Sequence, residues 1–199
     1  MREERKSMLI VISGPSGVGK GTIFHRLLEN DPSLTFSVSA TTRAPRPGEG
    51  NGIDYFFLTE QEYEELLEKD QFLEHADVHG NRYGTLVSQV EEKLARGKSV
   101  VLDIDPQGAR QVMEKRPDCV SIFLLPPSVE QLRIRLYNRN TETPEAIERR
   151  VNNARAEIAQ RNMYQYAVVN DDLELAYEQV QAIITAEKQR TTRFFPEVE

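Results

Sequence analysis

Nine consecutive residues near the start of the chain, Gly14-Pro15-Ser16-Gly17-Val18-Gly19-Lys20-Gly21-Thr22, carry a distinct chemical signal. Glycines at these intervals let the backbone curl until successive N–H groups converge on one anion. A helix beginning here adds its positive end, and Lys20 is long enough to reach the β- and γ-phosphates of a nucleotide. A glycine-rich turn alone is weak evidence. Here it follows the β-branched run MLIVIS (8–13) and precedes helical spacing over Thr22–Asn30 (Ile23, Leu27 and Leu28 apolar). Strand, G-x-x-x-x-G-K and helix in that order make a nucleotide-phosphate loop. One position departs from the usual pattern: Gly21 stands where a hydroxyl residue that ligates Mg²⁺ is normal, and Thr22 comes next. No protein metal ligand is therefore assigned, and ligation by Thr22 stays open.

Further along, residue types suited to oxyanions and base edges recur. Arg43 and Arg46 lie three apart in a loop, where guanidinium forks can clamp phosphate oxygens bidentately. Glu74 sits in an apolar-leaning stretch, and a carboxylate there can accept from two neighbouring N–H groups of a guanine, which adenine lacks. Taken locally, the same residues also read as surface charges. Asp103 and Asp105 close the run SVVLDID, and strand alternation places them on opposite faces. Between Arg133 and Arg161 seven arginines (133, 135, 139, 149, 150, 155, 161) face four glutamates, which is either a salt-linked solvated helix or a cationic segment awaiting a phosphate. The three histidines and the single cysteine lack metal-ligand spacing.

These groups need a scaffold, and alternating elements supply one. Strands are expected at 8–13, 99–104, 120–125 and 167–170. Helices are expected at 22–30, 107–115, from Ser128, and from Leu173 to about Arg190. That alternation implies an α/β fold with a parallel sheet covered on both faces. Residues 35–88 break the rhythm: a Pro/Gly-rich segment, an alternating strand at 53–58, an acidic helix at 60–69 and a strand around 71–78 read as an inserted β-rich subdomain. Thr143 before Pro144 reads as an N-cap with proline at the first helical position. The expected division is one domain over 7–190. Its core covers about 7–34, 86–132 and 163–190, with a subdomain at about 35–85, a lid at about 133–162 and a tail at 191–199, either frayed or docked.

Composition sets outer bounds. At 199 residues with a formal charge of −7, the chain is long enough for a full core and lacks the basic balance of a general nucleic-acid binder. No apolar run approaches bilayer length, and the N-terminal MREERKSM has no signal-like apolar segment. A lone Cys119 among apolar neighbours reads as an inert buried thiol. A cytoplasmic enzyme without membrane or nucleic-acid partners is expected, and self-association stays open.

In order along the chain, FSVSATTRAPR (36–46), GIDYFF (52–57), FLEHA (72–76), RYG (82–84), VLDID (101–105), RNTETP (139–144) and NDD (170–172) join the phosphate loop in a pattern that resembles the guanylate kinase family over nearly the whole length. The resemblance implies an ATP-dependent nucleoside monophosphate kinase moving the γ-phosphoryl group of MgATP onto GMP. It implies that Gly14 through Thr22, Arg135, Arg139 and Asn170 bind ATP. It also implies that Ser39, Arg43, Arg46, Tyr55, Glu74, Tyr83, Thr85, Asp103 and Asp105 serve GMP, with Asp103 orienting acceptor-side groups including Arg43, and that Lys20, Arg43, Arg139 and Arg150 act on the transferring group. Mg²⁺ would then be held mainly by nucleotide phosphates and water. Another monophosphate kinase and a non-catalytic guanylate-kinase-like scaffold domain are the alternative readings. Glu74 speaks against the first, and the intact donor loop against the second.

Overall fold

The computed structural model describes residues 3–78, 80–138 and 143–196. The chain begins with β1 (Glu3–Arg5), β2 (Leu9–Ser13), α1 (Lys20–Asn30), β3 (Leu34–Phe36), β4 (Ala40–Thr41), β5 (Phe56–Phe57) and α2 (Glu60–Glu68). Next come β6 (Phe72–Val78), β7 (Asn81–Leu86), α3 (Val87–Ala95), β8 (Ser99–Asp103), α4 (Pro106–Lys115) and β9 (Val120–Leu125). The last elements are α5 (Val129–Tyr137), α6 (Pro144–Ala159), β10 (Tyr166–Val169), α7 (Leu173–Lys188) and β11 (Phe194–Pro196).

Five strands in the order β10-β9-β2-β8-β3 form a parallel sheet. The central strand β2 is buried at every position because both its faces are covered, which is why it reads as an unbroken apolar run. Ile10 and Ile12 pack with Ile23 and Leu27 of α1 and with Val180 and Ile184 of α7. Leu9 and Val11 face the opposite way, onto Val90 of α3, Ala109 and Val112 of α4, and Phe123.

The insertion is a second, four-stranded sheet in the order β5-β4-β7-β6. It has a small core of its own, Ala40, Tyr63, Phe72 and Leu86. Its helix α2 starts on a complete capping box: the Thr59 side chain accepts from the Glu62 amide while Glu62 accepts from Thr59. The α5–α6 pair likewise packs around a separate cluster of Leu132, Leu136, Ile147, Val151 and Ala154. Thr143 caps α6 through the Ala146 amide with Pro144 in the first turn, as the sequence predicts.

Several boundaries differ from expectation. The alternating stretch 53–58 yields only Phe56–Phe57 as strand. Residues 50–55 form a turn, with Gly52 at φ 76°, the Gly50 amide bonded to the Asp54 carboxylate and Ile53 left 74% exposed. The core sheet also gains β3 at its edge, just past Asp31, whose carboxylate accepts from Ser33 and Lys188. At the other end β11 pairs antiparallel with β1, so the expected tail is a sheet partner over Phe194–Pro196.

Candidate active site

The loop between β2 and α1 bends through positive φ at Gly14 (146°), Gly17 (89°) and Gly19 (102°). A methyl group on Gly14 would lie 2.4 Å from the carbonyl oxygen of Leu124, so glycine is required there by space as well as by conformation. Lys20 opens α1, and its ammonium donates to the Gly14 carbonyl at 2.6 Å. Burial lowers its pKa, against the opposing pull of Asp103, Glu157 and Asp105. The loop, Thr22 and Asp103 line a cavity of about 270 Å³. A neighbouring cavity of about 360 Å³ lies between the loop, Arg135, Asn138, Asn170 and Leu173.

The α5–α6 pair leans over this loop. Arg150 of α6 donates to the Ser16 hydroxyl, and Arg135 of α5 donates to the carbonyls of Asn170 and Asp171. Glu157 lies in the last turn of α6. Burial raises its carboxyl pKa while Lys20 pulls it down. Arg133 instead bridges Glu130 and Glu148, a purely structural tie.

In the inserted sheet the Arg43 guanidinium lies over the rings of Tyr55 and Phe57, 5.3 and 5.8 Å from their centroids. Tyr55 packs edge-on against Tyr83. Glu74 of β6 is only 7% exposed, and its Oε1 accepts from the Thr85 hydroxyl of β7 at 2.6 Å. Burial pushes the Glu74 carboxyl up, with Asp105 adding to the shift and the Thr85 bond opposing it. Ser39 lies half-buried just before β4, with its carbonyl accepting from Phe56.

An anion-binding loop facing a second sheet that carries arginine, tyrosines and a buried carboxylate matches one group of known proteins. The guanylate kinase family model covers residues 6–187. A guanylate kinase of Clostridium perfringens is 51% identical over 97% of this chain and 89% of its own length. One from Symbiobacterium thermophilum is 50% identical, with 97% and 92% covered. The chain belongs to the guanylate kinase family. In three dimensions, the crystal structure of guanylate kinase from Anaplasma phagocytophilum superposes with a TM-score of 0.74 at 36% identity, covering 97% of this chain and 92% of that one.

Among the residues expected at the acceptor side, Arg43 lies over Tyr55, Tyr55 packs on Tyr83, and Glu74 meets Thr85, while Asp105, Asp103 and Asn170 make contacts the sequence did not indicate. Asp105 is not the end of a strand: it lies beyond β8 as the N-cap of α4, its carboxylate accepting from the Gly108 amide at 2.8 Å. Among the described residues Asp103 makes no hydrogen bond or ion pair with Arg43. It faces Lys20 and His25, and burial raises its carboxyl pKa although its side chain is open to the cleft. Arg43 is held by Glu49 and the Ala44 carbonyl instead. Asn170 is buried beneath the loop, its amide donating to the Val18 carbonyl at 2.7 Å, so it braces the loop while also lining the 360 Å³ cavity. Arg139 lies outside the described residues.

Sequence reading missed three contributors. Glu49 is spaced three residues past Arg46, a signal available in the chain but unused. Gly108 abuts Glu74: a methyl group on it would come within 2.9 Å of the Glu74 Oε2. Gln111, one turn on, exchanges two hydrogen bonds with the backbone of His75, a pairing without any local signature.

Proposed function

We propose that the chain transfers the γ-phosphoryl group of ATP to GMP, yielding ADP and GDP. The single observation that carries the acceptor assignment is the buried Glu74 carboxylate beside Thr85, on the strand paired with the one that carries Tyr83. Such a carboxylate has little reason to be buried for the fold alone, because desolvating it costs several kcal/mol, on the order of ~2–5, unless a partner repays it. A guanine supplies that partner through its N1–H and N2–H donors, and the arginine and tyrosine hydroxyls take its phosphate.

On the donor side, the glycine loop and Lys20 hold the triphosphate, and the 360 Å³ cavity beside Arg135, Asn138 and Leu173 accepts the adenine. Arg150, with Arg139, brings positive charge to the transferring group, where charge is spread over the γ-oxygens. No general base is required, because the attacking GMP phosphate oxygen is already anionic, and the protein's work is alignment and charge neutralisation. Mg²⁺ fits as the companion of ATP: the oxygen groups of Thr22 and Asp103 line the same cavity as Lys20, a hard-ligand set suited to that ion. When bound, it neutralises phosphate charge.

The chain acts as a cytoplasmic enzyme on this reading, and no described helix is long and apolar enough to cross a membrane. An acceptor panel tests the function: ADP formation measured with GMP, dGMP, AMP, CMP and UMP at saturating MgATP should show turnover with the guanine acceptors and almost none with the others. Comparable rates with AMP would overturn the acceptor assignment, and absence of turnover with every acceptor would favour the non-catalytic scaffold.

A further inference from the structure

The segment Arg43–Gly50 has no regular secondary structure, yet it carries both arginines assigned to the acceptor phosphate. One side chain organises it. Glu49 places both carboxylate oxygens on Nη2 of Arg43, at 2.9 and 3.0 Å, and one of them accepts from the Arg46 backbone amide at 2.7 Å. The turn closes on itself through the Glu49 amide, which donates to the Arg46 carbonyl at 3.1 Å. Both partners of the ion pair are mostly enclosed, 14% and 19% exposed at their side chains, unlike an ordinary surface bridge. The two arginines are thus linked through one carboxylate, and below them the Tyr55 ring fixes the plane of the Arg43 guanidinium.

We propose that Glu49 is a positioning residue that assembles the acceptor-phosphate clamp by tying the Arg43 guanidinium to the Arg46 turn. The inference rests on the reading of this loop as the GMP phosphate site and deepens it. An alternative role, a carboxylate occupying the phosphate's place until evicted, fits the geometry less well. Glu49 takes a single nitrogen of Arg43 instead of forming a two-nitrogen fork, and Nη1 is occupied by the Ala44 carbonyl. The carboxylate is also stitched into its own turn, so eviction would unmake the loop that bears Arg46. The Arg43 contact holds the Glu49 carboxyl below its usual range, so the tie persists at any pH where the enzyme is assayed.

The test compares two ligands that differ only in the phosphate. For Glu49→Ala and Glu49→Gln, GMP affinity and KM would be measured beside competitive inhibition by guanosine, together with the KM for ATP. Glu49→Ala is expected to weaken GMP about tenfold or more, the scale of a charge-assisted contact. Guanosine and ATP should be unaffected, and Glu49→Gln, which keeps an acceptor oxygen, should lie between Glu49→Ala and wild type. In an Arg43→Ala background, removing Glu49 should cost less than it does in wild type, leaving only the part that runs through the Arg46 turn. Tighter GMP binding by Glu49→Ala would overturn the proposal in favour of a competing carboxylate. Equal losses for GMP and guanosine would reduce Glu49 to a general support of the fold and also overturn it. If Arg43→Ala itself leaves GMP affinity unchanged, the acceptor reading fails. If Arg43→Ala weakens GMP and Glu49→Ala does not, only the positioning role fails.

Discussion

A carboxyl group 7% exposed beside a threonine hydroxyl titrates differently from one in water, and Glu74 shows the consequence most directly. Burial raises its pKa above the ordinary 4.5. The folded protein therefore holds this proton more tightly than the unfolded chain does. Stability from this source is full below the unfolded value and lost as pH rises through the folded one. A guanine binding to the ionised form reverses that loss. Two results are expected of Glu74→Gln. Its kcat/KM for GMP should fall by roughly 10–150-fold, matching about 1.5–3 kcal/mol for hydrogen bonds to a charged acceptor. Its unfolding free energy, measured by denaturant titration from pH 4 upward, should lose less with rising pH than wild type does. Because Asp103 and Glu157 are also raised by burial, only the difference between variant and wild type isolates Glu74. An unchanged GMP-to-AMP preference would remove Glu74 from base selection. Cys119, in contrast, is pushed up to about 11 by burial and has no part in the chemistry.

At the scale of elements, the helix α4 is the device that sets the acceptor sheet against the core. Strand β6 lies at the edge of its sheet, so its outward backbone groups have no strand partner. Gln111 supplies one: its Oε1 accepts from the His75 amide at 3.1 Å and its Nε2 donates to the His75 carbonyl at 2.9 Å. Lys115, a turn later, donates to the Phe72 carbonyl at 2.7 Å. Gly108, Gln111 and Lys115 lie on one helical face, so α4 presses on β6 along the stretch that carries Glu74. Gln111→Leu keeps the bulk and removes both bonds. The expected cost is about 1–3 kcal/mol for the partners left unpaired. A several-fold rise in KM for GMP should accompany it, with KM for ATP unchanged, because the donor loop is held by other contacts. Parallel shifts in both KM values would show that α4 supports the fold generally and does not position the acceptor sheet.

Across the whole molecule, the groups proposed to act on the nucleotides come from three separately packed parts: the parallel sheet, the inserted sheet and the α5–α6 pair. The phosphate loop sits at the carboxyl end of the central strand, the usual binding edge of an open α/β sheet. Far from it, β1 and β11 join the two ends of the chain. Arg193 anchors this pairing by binding Glu187, 3% exposed and also bonded by Tyr166, and by donating to the Asp118 carbonyl at 2.7 Å. Arg193→Ala leaves a buried carboxylate with fewer partners and should destabilise the protein by about 1–3 kcal/mol. Thermal unfolding should register that loss while kcat and both KM values remain at wild type. A change in turnover would mean that the terminal sheet communicates with the site.

What the sequence determined by itself is whatever neighbouring residues can encode. The phosphate loop is legible because its glycines, Lys20, the preceding strand and the following helix are contiguous, and each obeys a local steric or periodic rule. The Thr143–Pro144 helix start is legible for the same reason, and the ordered acceptor motifs pointed to Arg43, Tyr55, Glu74, Tyr83 and Thr85 together. Local alternation also misled: Ile53, Tyr55 and Phe57 look like a strand, but Gly52 and the Asp54 carboxylate turn the chain there. Only the tertiary structure decided which partners those residues take. Gln111 meets His75 across 36 residues, Asn170 meets Val18 across 152, and Asp105 serves a helix start instead of a strand end. Those pairings depend on how helices and sheets pack, which fixes distances between side chains far apart in the chain, and no periodicity within a segment carries that information.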